Sequence, residues 1–185
     1  MKKIFQFLFK KCSNIKIIDI LLLEYHSIIQ FVSNFLPGNI GLLIRGCIYK
    51  IFLFRGCRFS FIQKDVCFVH CHKIKFGKNF TVNSFCYINA IGGISIGDNV
   101  LIGPSVVIST GKHNILPIGK PIIEEPTTPL PITIGDDVWL GANVTILPGA
   151  FIADGTVVGA NSVVTKSTKK NGVYAGVPAK LIRSR

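Results

Sequence analysis

The chain has 185 residues, with 21 Lys and Arg against 9 Asp and Glu and a formal net charge of +12; that length gives room for one domain and a modest appendage. Most basic residues fall in the first 78 positions or the last 20, a split that suits a small polyanion or an anionic surface better than the one-sided clustering nucleic acid needs. The six cysteines, none beyond Cys86, sit in apolar text and make no disulfide framework, which points to a reduced cytoplasmic protein.

Residues 1–11 are basic with a brief apolar run and no small-residue cleavage site, a poor match to a secretion signal. Ile15, Ile18, Leu22, Tyr25, Ile29, Val32 and Leu36 then recur at three-four spacing and predict a helix, with Ser13 or Asn14 as cap and Pro37-Gly38 as stop. Asp19, Glu24, His26 and Gln30 interrupt it, which argues against a membrane span. A second helix is expected from about Ile40 to Phe54, with Arg45, Lys50, Arg55 and Arg58 along or just after it. Two roles for residues 1–58 are compatible with each other. One is a helical cap over the open end of a repeat structure; the other is peripheral contact with the inner face of a membrane.

Cys67-x-x-His70-Cys71-His72 puts four potential zinc ligands within six residues, but neighbours on a strand point to opposite faces, and no metal is expected. From Phe76 a six-residue step begins with Val82 and Ile88, and Gly92-Gly93 marks a two-residue slip. The step resumes at Ile96, Ile102 and Ile108, then again at Ile134, Leu140, Ile146, Ile152, Val158 and Val164. Six matches neither the 3.6 period of a helix nor simple strand alternation. It suits a coil in which each unit is one short strand plus a corner, so that three units close a triangular turn. Small or β-branched residues sit two positions earlier, at Val100, Val106, Val138, Val144, Ala150, Thr156 and Ser162, and would stack in register. Residues 110–131, rich in proline at Pro117, Pro121, Pro126, Pro129 and Pro131, leave this coil as an excursion of the kind that often carries function.

Four phrases carry a family resemblance: Ile96-Gly-Asp-Asn-Val-Leu-Ile-Gly-Pro104, the stretch from Pro131 to Gly149, Gly159-Ala-Asn-Ser-Val-Val-Thr-Lys166 and Ala175-Gly-Val-Pro-Ala-Lys180. In order and spacing they resemble the hexapeptide-repeat acyltransferases, nearest the galactoside, maltose and polysaccharide O-acetyltransferases. The resemblance implies an all-β fold, a left-handed parallel β-helix over 59–166, preceded by the helical segment and followed by a coenzyme-binding tail at 167–185. It also implies a homotrimer and acetyl-CoA as co-substrate.

Within the excursion, His113 is the one histidine of the repeat region, and imidazole suits removal of a hydroxyl proton near neutral pH. The family's catalytic histidine matches this place. Asn83 matches an asparagine that helps hold the acceptor, and its amide is suited to a sugar hydroxyl or an oxyanion. An acidic residue of the sugar enzymes has no counterpart: Ile91 stands there, with Asn89 close by, which argues against a simple galactoside or maltose acceptor. For coenzyme A the resemblance points to Gly141, Ala142 and Ala160 along the pantetheine arm and to Thr165, Lys166, Lys180 and Arg183 near the phosphates. Trp139 either packs at the pantetheine channel or is a buried or subunit-contact residue. The function implied is an acetyl-CoA-dependent O-acetyltransferase of a sugar or glycan acceptor in surface polysaccharide synthesis. The alternatives are an N-acetyltransferase of a nucleotide-linked amino sugar, an antibiotic-modifying acetyltransferase and a non-catalytic scaffold.

Overall fold

The computed structural model describes residues 17–35, 37–52, 60–115, 119 and 121–185. Among the sequence expectations, Cys12, Ser13, Asn14, Ile15, Leu36, Phe54, Arg55, Cys57, Arg58 and Pro117 lie outside the described residues.

Two helices come first, α1 (Ile17–Asn34) and α2 (Gly38–Phe52). The coil then advances three short strands per turn. Its first turn is β1 (Ser60–Ile62), β2 (Cys67–Val69) and β3 (Ile74–Phe76), and its second is β4 (Phe80–Val82), β5 (Tyr87–Asn89) and β6 (Ile94–Ile96). The third turn begins with β7 (Leu101–Ile102) and β8 (Val107–Ser109), is interrupted by β9 (Gly111–His113) and β10 (Thr127–Pro129), and closes with β11 (Ile132–Ile134). The fourth is β12 (Trp139–Leu140), β13 (Thr145–Ile146) and β14 (Phe151–Ile152), and then come β15 (Val157–Val158), β16 (Val163–Val164), β17 (Gly172–Ala175) and β18 (Lys180–Ser184).

Every third strand stacks parallel on its predecessor, which makes three sheets: β1-β4-β7-β12-β15-β17, β2-β5-β8-β13-β16 and β3-β6-β11-β14. This is a parallel β-solenoid of triangular section, as the six-residue period predicts. All nine of the periodic aliphatics from Ile96 to Val164 point inward and are at most 4% exposed. The seven small or β-branched residues two positions earlier are buried too, so each face presents the core with two stacked columns. At the corner between the third and first faces an aspartate ladder carries the stacking. Asp98 Oδ1 accepts the Lys78 amide at 2.6 Å, Asp136 Oδ1 the Asp98 amide at 2.7 Å and Asp154 Oδ1 the Asp136 amide at 3.1 Å. Asn99, Asp137, Asn143 and Asn161 take positive φ at their corners, which Asn and Asp tolerate better than most residues.

A solenoid leaves unpaired strand edges at its ends. At the N-terminal end side chains of the helices serve as the missing strand. Gln30 Oε1 accepts the Phe68 amide at 2.7 Å while its Nε2 donates to the Phe68 carbonyl at 2.9 Å. Buried Arg45 donates from Nε to the Ile62 carbonyl at 3.0 Å, and Asn34 Oδ1 accepts the Asp65 amide at 3.2 Å. Replacing Gln30 with Leu keeps the volume but strands a donor and an acceptor, so the denaturation midpoint should fall by an amount equivalent to about 1–3 kcal/mol. At the other end β17 extends the first face beyond residue 166, and β18 folds back antiparallel on it.

Two details differ from the sequence expectation. The helical stripe of α1 is turned the other way: Ile18, Tyr25 and Val32 are exposed, Leu22 and Ile29 are half-buried, and His26 and Ser33 face the coil fully. Edge backbone needs hydrogen-bonding partners, so the polar side of the helix goes inward. The excursion is also more ordered than a loop, because β9 and β10 pair antiparallel, with His113 opposite Thr127.

Candidate active site

The sequence-predicted residues sit on two different edges of the second face. Asn83 follows β4 at the corner between the first and second faces, where its Nδ2 donates to the Ile102 carbonyl at 2.9 Å. Gly103, Gly141 and Gly159 are stacked above it, their amides donating hydrogen bonds to the Leu140, Val158 and Tyr174 carbonyls. A Cβ on Gly141 would lie 2.7 Å from the Ala160 nitrogen and 2.9 Å from the Val158 oxygen, so close coil stacking requires glycine here whatever else lies against it. Ala142 and Ala160 are exposed beside this column. Trp139, two residues before Gly141, points outward and is 51% exposed, so it is not a buried residue of the single chain.

Thr165 and Lys166 follow β16, and Lys180 and Arg183 lie on β18, so the four collect at the C-terminal end of the solenoid, all exposed. Arg183 Nη1 is within 3.2 Å of the Ser184 carbonyl, a local bond that leaves most of the guanidinium available.

His113 is on the opposite edge of the second face, at the end of β9, exposed, beyond the corner where the chain leaves β8. The corner that carries it is built tightly. Thr110 is fully buried; its Oγ1 donates to the Asn89 carbonyl at 3.0 Å and accepts the Gly92 amide at 2.8 Å. Its carbonyl accepts the Leu130 amide at 2.8 Å, so one residue ties both roots of the excursion to the preceding turn. Ile91 lies against Gly111 at this root. The role of Thr110 was not legible in the sequence, since a Thr beside a strand pattern ordinarily signals only β-propensity.

The structure brings His26, which the sequence reading kept apart, to His70 and His72. His26 of α1 stacks on His72 with ring centroids 5.8 Å apart, and His70 lies 6.2 Å from His72. His70 Nδ1 is 3.1 Å from Asn89 Oδ1, while Nδ1 of buried His26 has no partner among the described residues. Cys71 faces the core and Cys67 is exposed, so the four potential zinc ligands diverge. Among the described residues no group of three or more His, Cys, Asp or Glu could hold a metal ion.

Burial lowers the pKa of all three histidines, joined by His72 and His70 at His26 and by Lys73 at His70 and His72; the Asn89 hydrogen bond at His70, and Asp19 at His70 and His72, oppose it. With folded values below the unfolded value of about 6.5, the folded state binds fewer protons. The stability this contributes is therefore present above about pH 6.5 and is lost as the pH falls from there through the lowered folded values. Melting temperature should drop between neutral and mildly acidic pH, and His26→Leu should flatten that drop.

Burial also pushes the Cys71 thiol up to about 12 and raises that of Cys86, the reverse of what a thiolate nucleophile needs. The exposed imidazole of His113 and the exposed cations near the last turns are better suited than these thiols to take a proton and to meet an anion.

Comparison with known proteins identifies the repeat. The family of bacterial transferase hexapeptides (six repeats) matches residues 131–166. A putative lipopolysaccharide biosynthesis O-acetyl transferase, WbbJ of Escherichia coli (strain K12), is 35% identical over 171 residues, covering 76% of this chain and 86% of the relative. Among solved structures, a galactoside acetyltransferase in complex with coenzyme A superposes with a TM-score of 0.80 at 31% identity, covering 92% of this chain and 84% of that one. A hexapeptide-repeat-containing acetyltransferase from Vibrio cholerae O1 biovar eltor, complexed with acetyl coenzyme A, gives 0.79 at 30% identity, over 89% and 87% of the two chains. Repeat, fold and identity together place the chain: it belongs to the hexapeptide-repeat acyltransferases, in the O-acetyltransferase branch.

Proposed function

We propose that the protein is an acetyl-CoA-dependent O-acetyltransferase of a glycan hydroxyl, working in the cytoplasm as a homotrimer whose active sites lie between subunits. One observation carries this reading. Asn83 and the Gly103-Gly141-Gly159 column occupy one edge of the second face, and His113 the other, so one chain does not assemble them. A neighbour set against that face would bring its His113 to this chain's Asn83 and Ala160.

The outward columns support the same packing. The first face presents Phe61, Thr81, Leu101, Trp139, Val157 and Val173 in register, and the second Cys67, Tyr87, Val107, Thr145 and Val163. The third presents Lys75, Ser95, Thr133 and Phe151, a more polar set. Two apolar faces and one polar face suit a closed ring in which each subunit uses both apolar faces.

In the reaction, the imidazole of His113 takes the acceptor hydroxyl proton as the oxygen attacks the thioester carbonyl. The new C–O bond leaves a tetrahedral oxyanion, which amide donors hold. Asn83 uses one N–H for Ile102, and its second N–H and its Oδ1 serve the acceptor. Collapse breaks the C–S bond, and the imidazolium returns its proton to the departing coenzyme A thiolate. Lys166, Lys180 and Arg183 would hold the coenzyme phosphates, and Trp139 would line the groove between subunits. Lipopolysaccharide biosynthesis, named for the bacterial relative, supports a surface glycan as acceptor. The test is free-thiol release from acetyl-CoA against a panel of sugars and lipid-linked glycans. Release with a glycan acceptor bears the reading out; no release and no thermal shift with acetyl-CoA would leave a scaffold.

A further inference from the structure

We propose that the outward faces of α1 and α2 dock the protein on an anionic membrane surface. The faces are apolar to an unusual degree. On α1 an arc of Ile17, Leu21, Ile28, Phe31 and Val32, continued by Phe35 just past its end, is 54–77% exposed, and on α2 Ile40, Leu43 and Ile51 are 53–74% exposed. The polar side of α1, with His26, Gln30 and Ser33, is the side committed to the coil. Helices of a water-soluble domain normally show the reverse arrangement, so an apolar covering is called for.

Charge selects the covering. Residues 1–58 carry nine Lys and Arg against Asp19 and Glu24; with Arg45 buried against the coil, eight remain, a surplus of six, and the 16 residues ahead of α1 hold five Lys and no acid. A second copy laid on this face would bring the same surplus against it, whereas anionic headgroups are attracted by it. Glu24 is the one acid on the outward arc. An apolar helical face together with a polybasic segment supplies the two signals that stable peripheral binding takes. No helix among the described residues is long and apolar enough to cross a membrane, so the pair would lie in the interface plane. Resting on the trimer of the proposed function, the effect multiplies. Parallel subunits around a threefold axis present all three helix pairs to one side, and three weak anchors act together. The same surface is where a lipid-linked glycan acceptor would be found.

The test is sedimentation of the full-length chain with vesicles, neutral phosphatidylcholine alone or mixed with anionic phosphatidylglycerol, at low and high salt. Binding is expected to the anionic vesicles only, weakened by salt. The double substitution Ile28→Asp with Phe31→Asp, on exposed positions, should weaken it by about tenfold or more. A second variant, Lys2, Lys3, Lys10 and Lys11 to Gln, leaves both helix faces unaltered and should lose affinity by a similar factor. Failure to bind anionic vesicles, or binding indifferent to both variants, overturns the proposal. A fall in mass by light scattering in the double variant, without vesicle binding by the parent, would identify the face as a contact between copies. Acetyl transfer to a soluble acceptor should be unchanged in both variants, so a failure here is distinguishable from failure of the acetyltransferase reading.

Discussion

Replacing His113 with Ala is expected to lower turnover of acetyl-CoA by about two to four orders of magnitude, the range for loss of a general base. A neutral alcohol is a poor nucleophile toward a thioester, and its proton must leave as the C–O bond forms. Among the described residues no side chain is hydrogen-bonded to the His113 ring, and the ring is exposed, so the substitution removes little folding energy. The melting temperature and the thermal shift with acetyl-CoA should therefore stay near those of the parent while free-thiol release collapses. The loss should appear in kcat more than in KM, because the proton transfer is made in the transition state. Undiminished release by the variant would mean that another group takes the proton.

Much of the fold could be read from the sequence because the solenoid repeats one decision. Each aliphatic residue from Ile96 to Val164 meets the same inward environment, so a single period states the coil, its corners and its core. The excursion was legible for the complementary reason. Between Ile108 and Ile134 the next places on the six-residue step hold Asn114, Lys120 and Pro126 in a proline-rich stretch, which cannot continue the inward aliphatic column. What the period does not carry is the identity of the neighbour on each surface. The spacing of Ile18, Tyr25 and Val32 declared an apolar face on α1 but not what covers it, and the coil's edge took Gln30 instead, through two bonds to Phe68 that no hydrophobic pattern encodes. Thr110, His26 and His70 were hidden in the same way, because their significance comes from partners 18 to 46 positions away.

The split of the candidate site over two edges was equally invisible, since a linear match marks Asn83 and His113 as members of one site without saying whether one chain supplies both. It leads to a second large effect. Asn83→Ala and His113→Ala should each be nearly inactive as pure proteins. Refolded or co-expressed together, they should regain about a quarter of parental activity. In the proposed ring each site would take His113 from one subunit and Asn83 from the next, and random mixing would pair an intact His113 with an intact Asn83 at about one site in four. If one chain supplied both residues, every site in the mixture would keep one defect, and activity would stay at the level of the two variants alone. Subunit exchange is required, so the mixture should be checked by native mass measurement on differently tagged chains. Recovery fits only the shared site, because neither variant can repair its own chain. A mixture that exchanges and stays inactive would move both residues into one subunit, and the apolar columns through Leu101, Trp139 and Tyr87 would then need another partner.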